Sequence, residues 1–124
     1  MRKKILVIDD EGIITSTIAN LLKREEYSVE VATSGQSGIA KFKSMKFDLI
    51  ITDIRMPIMD GFTTVAEIKD YAKGTKKSDV PVIFITGYAD SEAHIKAEEF
   101  GKVIFKPFDM KDFLKAVADA LRKE

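Results

Sequence analysis

Ile5-Leu6-Val7-Ile8-Asp9-Asp10, close to the N-terminus, is an unbroken run of four apolar residues stopped by two carboxylates. A strand with one face in water alternates apolar and polar side chains. An unbroken run belongs to a strand covered on both faces, as in a parallel sheet flanked by helices. The stretch that follows fits this reading, since residues from Gly12 to about Glu25 place Ile14, Ile18, Leu21 and Leu22 on one helical stripe. The same strand-then-helix unit recurs down the chain. Tyr27 to Ala32 reads as a short strand, with Tyr27, Val29 and Val31 alternating with polar neighbours; Thr33-Ser34-Gly35 turns the chain, and Ile39 and Phe42 then share a helix face. Phe47 to Thr52 is a third strand centred on Leu49-Ile50-Ile51. Met56-Pro57-Ile58-Met59-Asp60-Gly61 is a loop, with Pro57 lacking a donor and Gly61 free to take positive φ. A helix carrying Phe62, Val65 and Ile68 follows, then a polar connection over 73–79.

Val80 to Ile85 is the fourth strand, with Pro81 tolerated near its start. Ala89 to Phe100 is a weaker helix whose apolar face is Ile95 and alanines. Val103-Ile104-Phe105 is a short fifth strand, and Asp109 caps a last helix with Phe113, Val117 and Leu121 at i, i+4 and i+8. Five such units, (βα)₅, predict an α/β doubly wound domain: a parallel sheet, right-handed crossovers and helices on both faces.

Composition narrows the function. The 124 residues suit one domain spanning 1–124, and 45% hydrophobic content is enough for one core. Twenty Lys+Arg balance twenty Asp+Glu, which argues against a nucleic-acid binder that coats phosphates with positive charge. The absence of cysteine excludes disulfides, thiolate zinc sites and cysteine nucleophiles, and one histidine cannot build a multi-His metal site. No apolar run approaches the roughly 20 residues that span a bilayer. The basic start meets Asp9-Asp10 too soon for a signal peptide. These features predict a soluble cytoplasmic domain.

In an open parallel sheet, ligands bind outside the carboxyl ends of the strands. The residues that end the apolar runs here are Asp9 and Asp10, Asp53, Thr86 and Lys106. Taken singly, each aspartate is an ordinary turn former, and Thr86 an ordinary buried hydroxyl. Together they put three carboxylates, a hydroxyl and an ammonium on one edge. Three clustered carboxylates cost several kcal/mol in repulsion and desolvation unless a cation joins them. Mg²⁺ suits the site, since it needs few protein carboxylates and keeps several waters. With Lys106 and Thr86 beside it, the set is equipped to handle a phosphoryl group, with an aspartate as nucleophile. Asp53 suits that role because it stands alone at the sheet centre, whereas Asp9 and Asp10 are paired. Strand alternation sends Asp9 and Asp10 to opposite faces, so both reach the pocket only if the strand ends at about Ile8.

Ile5-Leu6-Val7-Ile8-Asp9-Asp10-Glu11, then Asp53-Ile54-Arg55-Met56-Pro57-Ile58-Met59-Asp60-Gly61, then Thr86, then Lys106-Pro107-Phe108 resembles a response-regulator receiver domain over the whole chain and in the right order. The resemblance implies a flavodoxin-like sheet of order 2-1-3-4-5. It implies that Asp53 takes a phosphoryl group from a sensor histidine kinase or phosphotransfer protein. Asp10, Asp53 and the backbone carbonyl of Arg55 would ligate Mg²⁺, with Asp9 acting through a water. Thr86 and Lys106 would contact the phosphoryl oxygens, and the Lys106–Pro107 bond would be cis. Arg55 and Tyr88 sit at positions that modulate phosphoryl lifetime in such domains. A receiver is a signalling phosphoacceptor, catalysing only its own phosphorylation and dephosphorylation, and meets a downstream target through its fourth and fifth strand–helix units. It is expected to be a monomer or weak dimer, free of nucleic acid and membrane. Glu11 is expected to face solvent or start the helix, and His94 to be an exposed helix residue.

Three departures stand out. Val103 occupies a position often held by an aromatic switch residue, which leaves Thr86 and the 87–90 segment to carry the switch. The Phe100-Gly101-Lys102 connection is short, which predicts a short or shifted fourth helix. No output domain follows the last helix, so the chain either works alone or is a piece of a larger regulator. Two rival classes fare worse. A Mg²⁺-dependent aspartyl-phosphate phosphatase needs a general acid two residues after the nucleophile, where Arg55 cannot transfer a proton. A flavodoxin-like electron carrier needs a Ser/Thr-rich phosphate loop after the first strand, where Asp9-Asp10-Glu11 stands.

Overall fold

The computed structural model describes residues 2–87 and 91–122. The elements run β1 (Lys4–Ile8), α1 (Gly12–Arg24), β2 (Ser28–Ala32), α2 (Gly35–Ser44), β3 (Leu49–Asp53), α3 (Gly61–Ala72), a 3₁₀ turn (Lys76–Asp79), β4 (Val82–Thr86), α4 (Ser91–Glu98), β5 (Lys102–Phe105) and α5 (Met110–Arg122). All pairings are parallel, and the sheet order is β2-β1-β3-β4-β5, as the resemblance implies.

The apolar runs fill two layers. Leu6, Ile8, Ile50 and Phe84 face Phe42 of α2 and Val65 and Ile68 of α3. Ile5, Val7, Leu49, Ile51, Ile83 and Ile85 face Ile18 and Leu22 of α1 and Phe113, Val117 and Leu121 of α5. Alternate residues of each strand therefore serve opposite layers, which is why these strands cannot alternate with polar residues. Each fully buried Leu or Ile contributes about 1.5–3 kcal/mol, and the sheet buries such residues on both of its faces. The edge strand β2 differs: Val31 is exposed, while Val29 and, just before the strand, Tyr27 pack against the second layer.

Some local expectations are corrected. Helix α4, Ser91–Glu98, ends two residues short of the predicted Phe100, in keeping with the short fourth helix that the 100–102 connection predicts, and among its described side chains Ala97 is buried, whereas Ile95 is 63% exposed. Phe100 takes the larger apolar part, packing on the first layer and against Phe62 with ring centroids 5.3 Å apart. Gly61 does not take positive φ; Ile58 does, at 71°. Glycine is required at 61 for a different reason: a Cβ there would lie 1.9 Å from the Asp53 carbonyl oxygen, so α3 starts against the backbone of β3. Tyr88, residues 88–90 of the expected switch segment and the His94 side chain lie outside the described residues.

Candidate functional site

The sheet register assembles the site. β1 ends at Ile8, which frees Asp9 and Asp10 from strand alternation. The Asp9 N–H still donates to Ala32 O at 3.1 Å, continuing the ladder by one residue. The Asp9 carboxylate then accepts from the Glu11 N–H at 3.0 Å, which turns the chain toward α1. Glu11 thus serves the site through its backbone, a role that side-chain type cannot reveal. Asp53 closes β3, next to β1 and in register with Ile85 of β4. Thr86 ends β4, and the Lys106 N–H donates to Thr86 O at 2.8 Å, which ties the last two site residues together.

Carboxylate oxygens of Asp9, Asp10 and Asp53 all lie within 4.8 Å of one another. The Lys106 ammonium lies 3.5 Å from Asp53 Oδ2 and 3.8 Å from Asp9 Oδ2. Asp53 Oδ1 also accepts from the Arg55 N–H at 3.3 Å. Asp9 and Asp53 are buried, and Asp10 is exposed. A cleft of about 460 Å³ opens here, lined by Asp10, Glu11, Asp53, Arg55, Gly87 and Lys106. Thr86 is buried, and its neighbour Gly87 rather than Thr86 itself lines the cleft. The Lys106–Pro107 peptide is cis.

The electrostatics show a site short of positive charge. Burial, aided by the Asp53 and Asp10 charges, pushes the Asp9 carboxyl from 3.8 up to about 6 against the Glu11 hydrogen bond and the Lys106 charge. Burial also raises Asp53, opposed by Lys106 and the Arg55 and Ile54 amides. One ammonium does not offset three clustered carboxylates. Hard anionic oxygens at this spacing, with one exposed member for access, fit a divalent cation that retains part of its water shell.

This fold and edge chemistry define the receiver class. Residues 5–118 match the response regulator receiver domain family, and the chain belongs to it. Among its relatives is the chemotaxis protein CheY of Treponema pallidum, 34% identical over 124 residues, covering 96% of this chain and 83% of that protein. The transcriptional regulatory protein ResD of Bacillus subtilis is 32% identical, covering 97% of this chain and 48% of ResD. The chain spans about half the length of several such curated regulators it matches. Among solved structures, the response regulator protein TrrA of Thermotoga maritima, in complex with Mg²⁺-BeF, superposes with a TM-score of 0.83 at 30% identity, covering 95% of this chain and 98% of that one. A receiver domain protein of Clostridium thermocellum gives 0.87 at 32%, covering 98% and 95%.

Proposed function

We propose that the chain is a Mg²⁺-dependent phosphoacceptor, with Asp53 taking a phosphoryl group from the phosphohistidine of a sensor kinase or phosphotransfer protein. The observation that carries this reading is Asp53 at the centre of the edge, flanked by Asp9 and Asp10 within 4.8 Å and by the Lys106 ammonium at 3.5 Å. An acid placed only to end a strand has no need of either neighbour.

Asp10, Asp53 and the Arg55 carbonyl would hold the cation, with Asp9 acting through a water. Bound there, Mg²⁺ neutralises carboxylate and phosphoryl oxygens. An Asp53 carboxylate oxygen attacks phosphorus, forming the P–O bond of an acyl phosphate as the donor's P–N bond breaks. The electron pair of that bond returns to the imidazole, which leaves neutral when its other nitrogen carries a proton. Lys106 pairs with charge on the phosphoryl oxygens, and the Thr86 hydroxyl donates a hydrogen bond to one of them as the residue turns toward the cleft. Arg55, exposed at the rim, tunes water access and hence phosphoryl lifetime. The domain turns over only its own phosphorylation and hydrolysis. The changed β4-α4-β5-α5 surface then engages a downstream protein, and a donor charged by ATP places the chain in the cytoplasm.

Incubation with acetyl phosphate and Mg²⁺, followed by mass spectrometry of peptides, tests this. Labelling is expected at Asp53, and is lost in Asp53→Asn and in EDTA. Asp10→Asn is expected to weaken Mg²⁺ binding. Labelling that persists in Asp53→Asn overturns the assignment.

A further inference from the structure

Thr52 puts a hydroxyl where packing asks for none. It sits on β3 with Ile8 of β1 and Phe84 of β4 as its register partners, so strand alternation assigns it to the first apolar layer, and it is fully buried. A valine has the same shape and suits a strand as well. A hydroxyl in an apolar layer costs free energy unless it is hydrogen-bonded. Thr15 and Thr64, also buried, donate to carbonyls about one turn back in the chain, Gly12 O at 2.9 Å and Asp60 O at 2.8 Å, as helical threonines commonly do. A strand offers no such acceptor. Thr52 instead donates forward, to Asp53 O at 3.0 Å.

That carbonyl stands where a ladder stops. β1 pairs with β3 as far as Ile8 and Thr52, and Asp53 lies one residue beyond. The same peptide plane carries the Ile54 N–H, which donates to Ile85 O at 3.1 Å. The next plane is held by the Gly61 N–H on Ile54 O at 2.7 Å and by the Arg55 N–H on Asp53 Oδ1 at 3.3 Å. Two successive planes therefore run from the Thr52 hydroxyl to the acceptor carboxylate. Of the four donors, three are backbone amides that almost any sequence would supply. The Thr52 hydroxyl is the one chosen by side-chain type.

Resting on the reading of Asp53 as acceptor, we propose that Thr52 is a positioning residue for its phosphorylation. The hydroxyl fixes the 53–54 peptide plane, and through it the Asp53 carboxylate and the Arg55 carbonyl assigned above to the cation. A plane released at its carbonyl end can tip about the Cα atoms of residues 53 and 54. The Arg55 amide then moves off Oδ1, and the carboxylate turns with it. Thr52 is fully buried and does not line the cleft, so it acts on this geometry without touching cation or donor.

Two matched pairs isolate the hydroxyl. Thr52→Val keeps the shape of the original side chain and loses only its hydrogen bond; Thr52→Ser and Thr52→Ala differ from each other by the hydroxyl alone. Acetyl phosphate labelling is followed across Mg²⁺ concentrations, and amide hydrogen exchange is measured without metal. Thr52→Val is expected to need about fivefold more Mg²⁺ for half-maximal labelling than the unmodified chain, the scale of one lost hydrogen bond, and Thr52→Ala about fivefold more than Thr52→Ser. In each hydroxyl-free variant the Ile54 amide is expected to exchange faster relative to the Ile50 amide of the same strand, a ratio that a general loss of stability leaves unchanged. An equal Mg²⁺ requirement within either pair overturns the inference, even if the unfolding midpoint falls, since that is the result of a merely structural hydroxyl. So does an unchanged exchange ratio. If Thr52→Val does not fold, the Ser and Ala pair decides alone. Failure of acetyl phosphate to label the unmodified chain at Asp53 instead overturns the acceptor reading.

Discussion

Asp9 shows at the scale of one residue how the site trades stability for charge. Its carboxyl is raised from 3.8 to about 6, chiefly by burial, so the folded chain holds its proton more tightly than the unfolded chain does. That stability is fully present below 3.8 and is lost as pH rises through about 6. At pH 7.5 without metal, Asp9 is therefore a net cost, worth about 3 kcal/mol at most. Asp9→Asn keeps an acceptor for the Glu11 N–H and removes the charge. In EDTA it is expected to raise the unfolding midpoint at pH 7.5, with the gain shrinking to nothing by about pH 4. Mg²⁺ at pH 7.5 is expected to stabilise the original chain more than the variant. Thermal melts across pH, with and without Mg²⁺, check both outcomes. The carboxylate itself was legible from the sequence, but its protonation was not. Burial and the nearness of Asp53 come from another strand, and desolvation has no signature in residue order.

At the scale of elements, the junction of β3 and α3 holds the acceptor in place. A Cβ on residue 61 would press on the Asp53 carbonyl oxygen, an atom of the backbone that cannot rotate away. Gly61→Ala is expected to cost about 3 kcal/mol in chemical denaturation and to slow acetyl phosphate labelling, because relief requires moving Asp53. Asp60→Ala removes only the cap on the Thr63 N–H. It is expected to cost about 1 kcal/mol and leave labelling intact. The order and type of the elements are readable because each apolar run and helical stripe is a local pattern. Helix α4 marks where this stops. Ile95 reads as its apolar anchor, yet Ala97 is buried and Ile95 exposed, because Phe100 from the following connection packs on that layer. An eight-residue helix with small residues carries too weak a periodicity to fix which face turns inward.

For the whole molecule, the sheet separates two apolar layers that share no helix among the described residues. Phe42 belongs to one and Phe113 to the other, and both are fully buried. Phe42→Leu and Phe113→Leu are each expected to cost about 1–2 kcal/mol. Their costs are expected to add within about 0.5 kcal/mol in the double variant, as urea unfolding would show, since neither cavity can relax into the other. A large coupling would mean that the strands transmit packing changes from face to face.

By itself, the sequence determined the alternation of strands and helices, the parallel sheet and the set of residues at its carboxyl edge. These follow from local periodicity and from the rule that crossovers bring every strand's end to the same side. It left open whether Asp9 and Asp10 share a pocket, since that turns on where one strand stops. Only the tertiary structure decided this, by ending β1 at Ile8 and bending the chain through the Glu11 amide. The same holds for the distances from Lys106 to its two carboxylates, for glycine at 61 and for the positive φ of Ile58. Each depends on how segments far apart in the chain meet, or on a backbone angle that the packed loop imposes. Local propensity encodes neither.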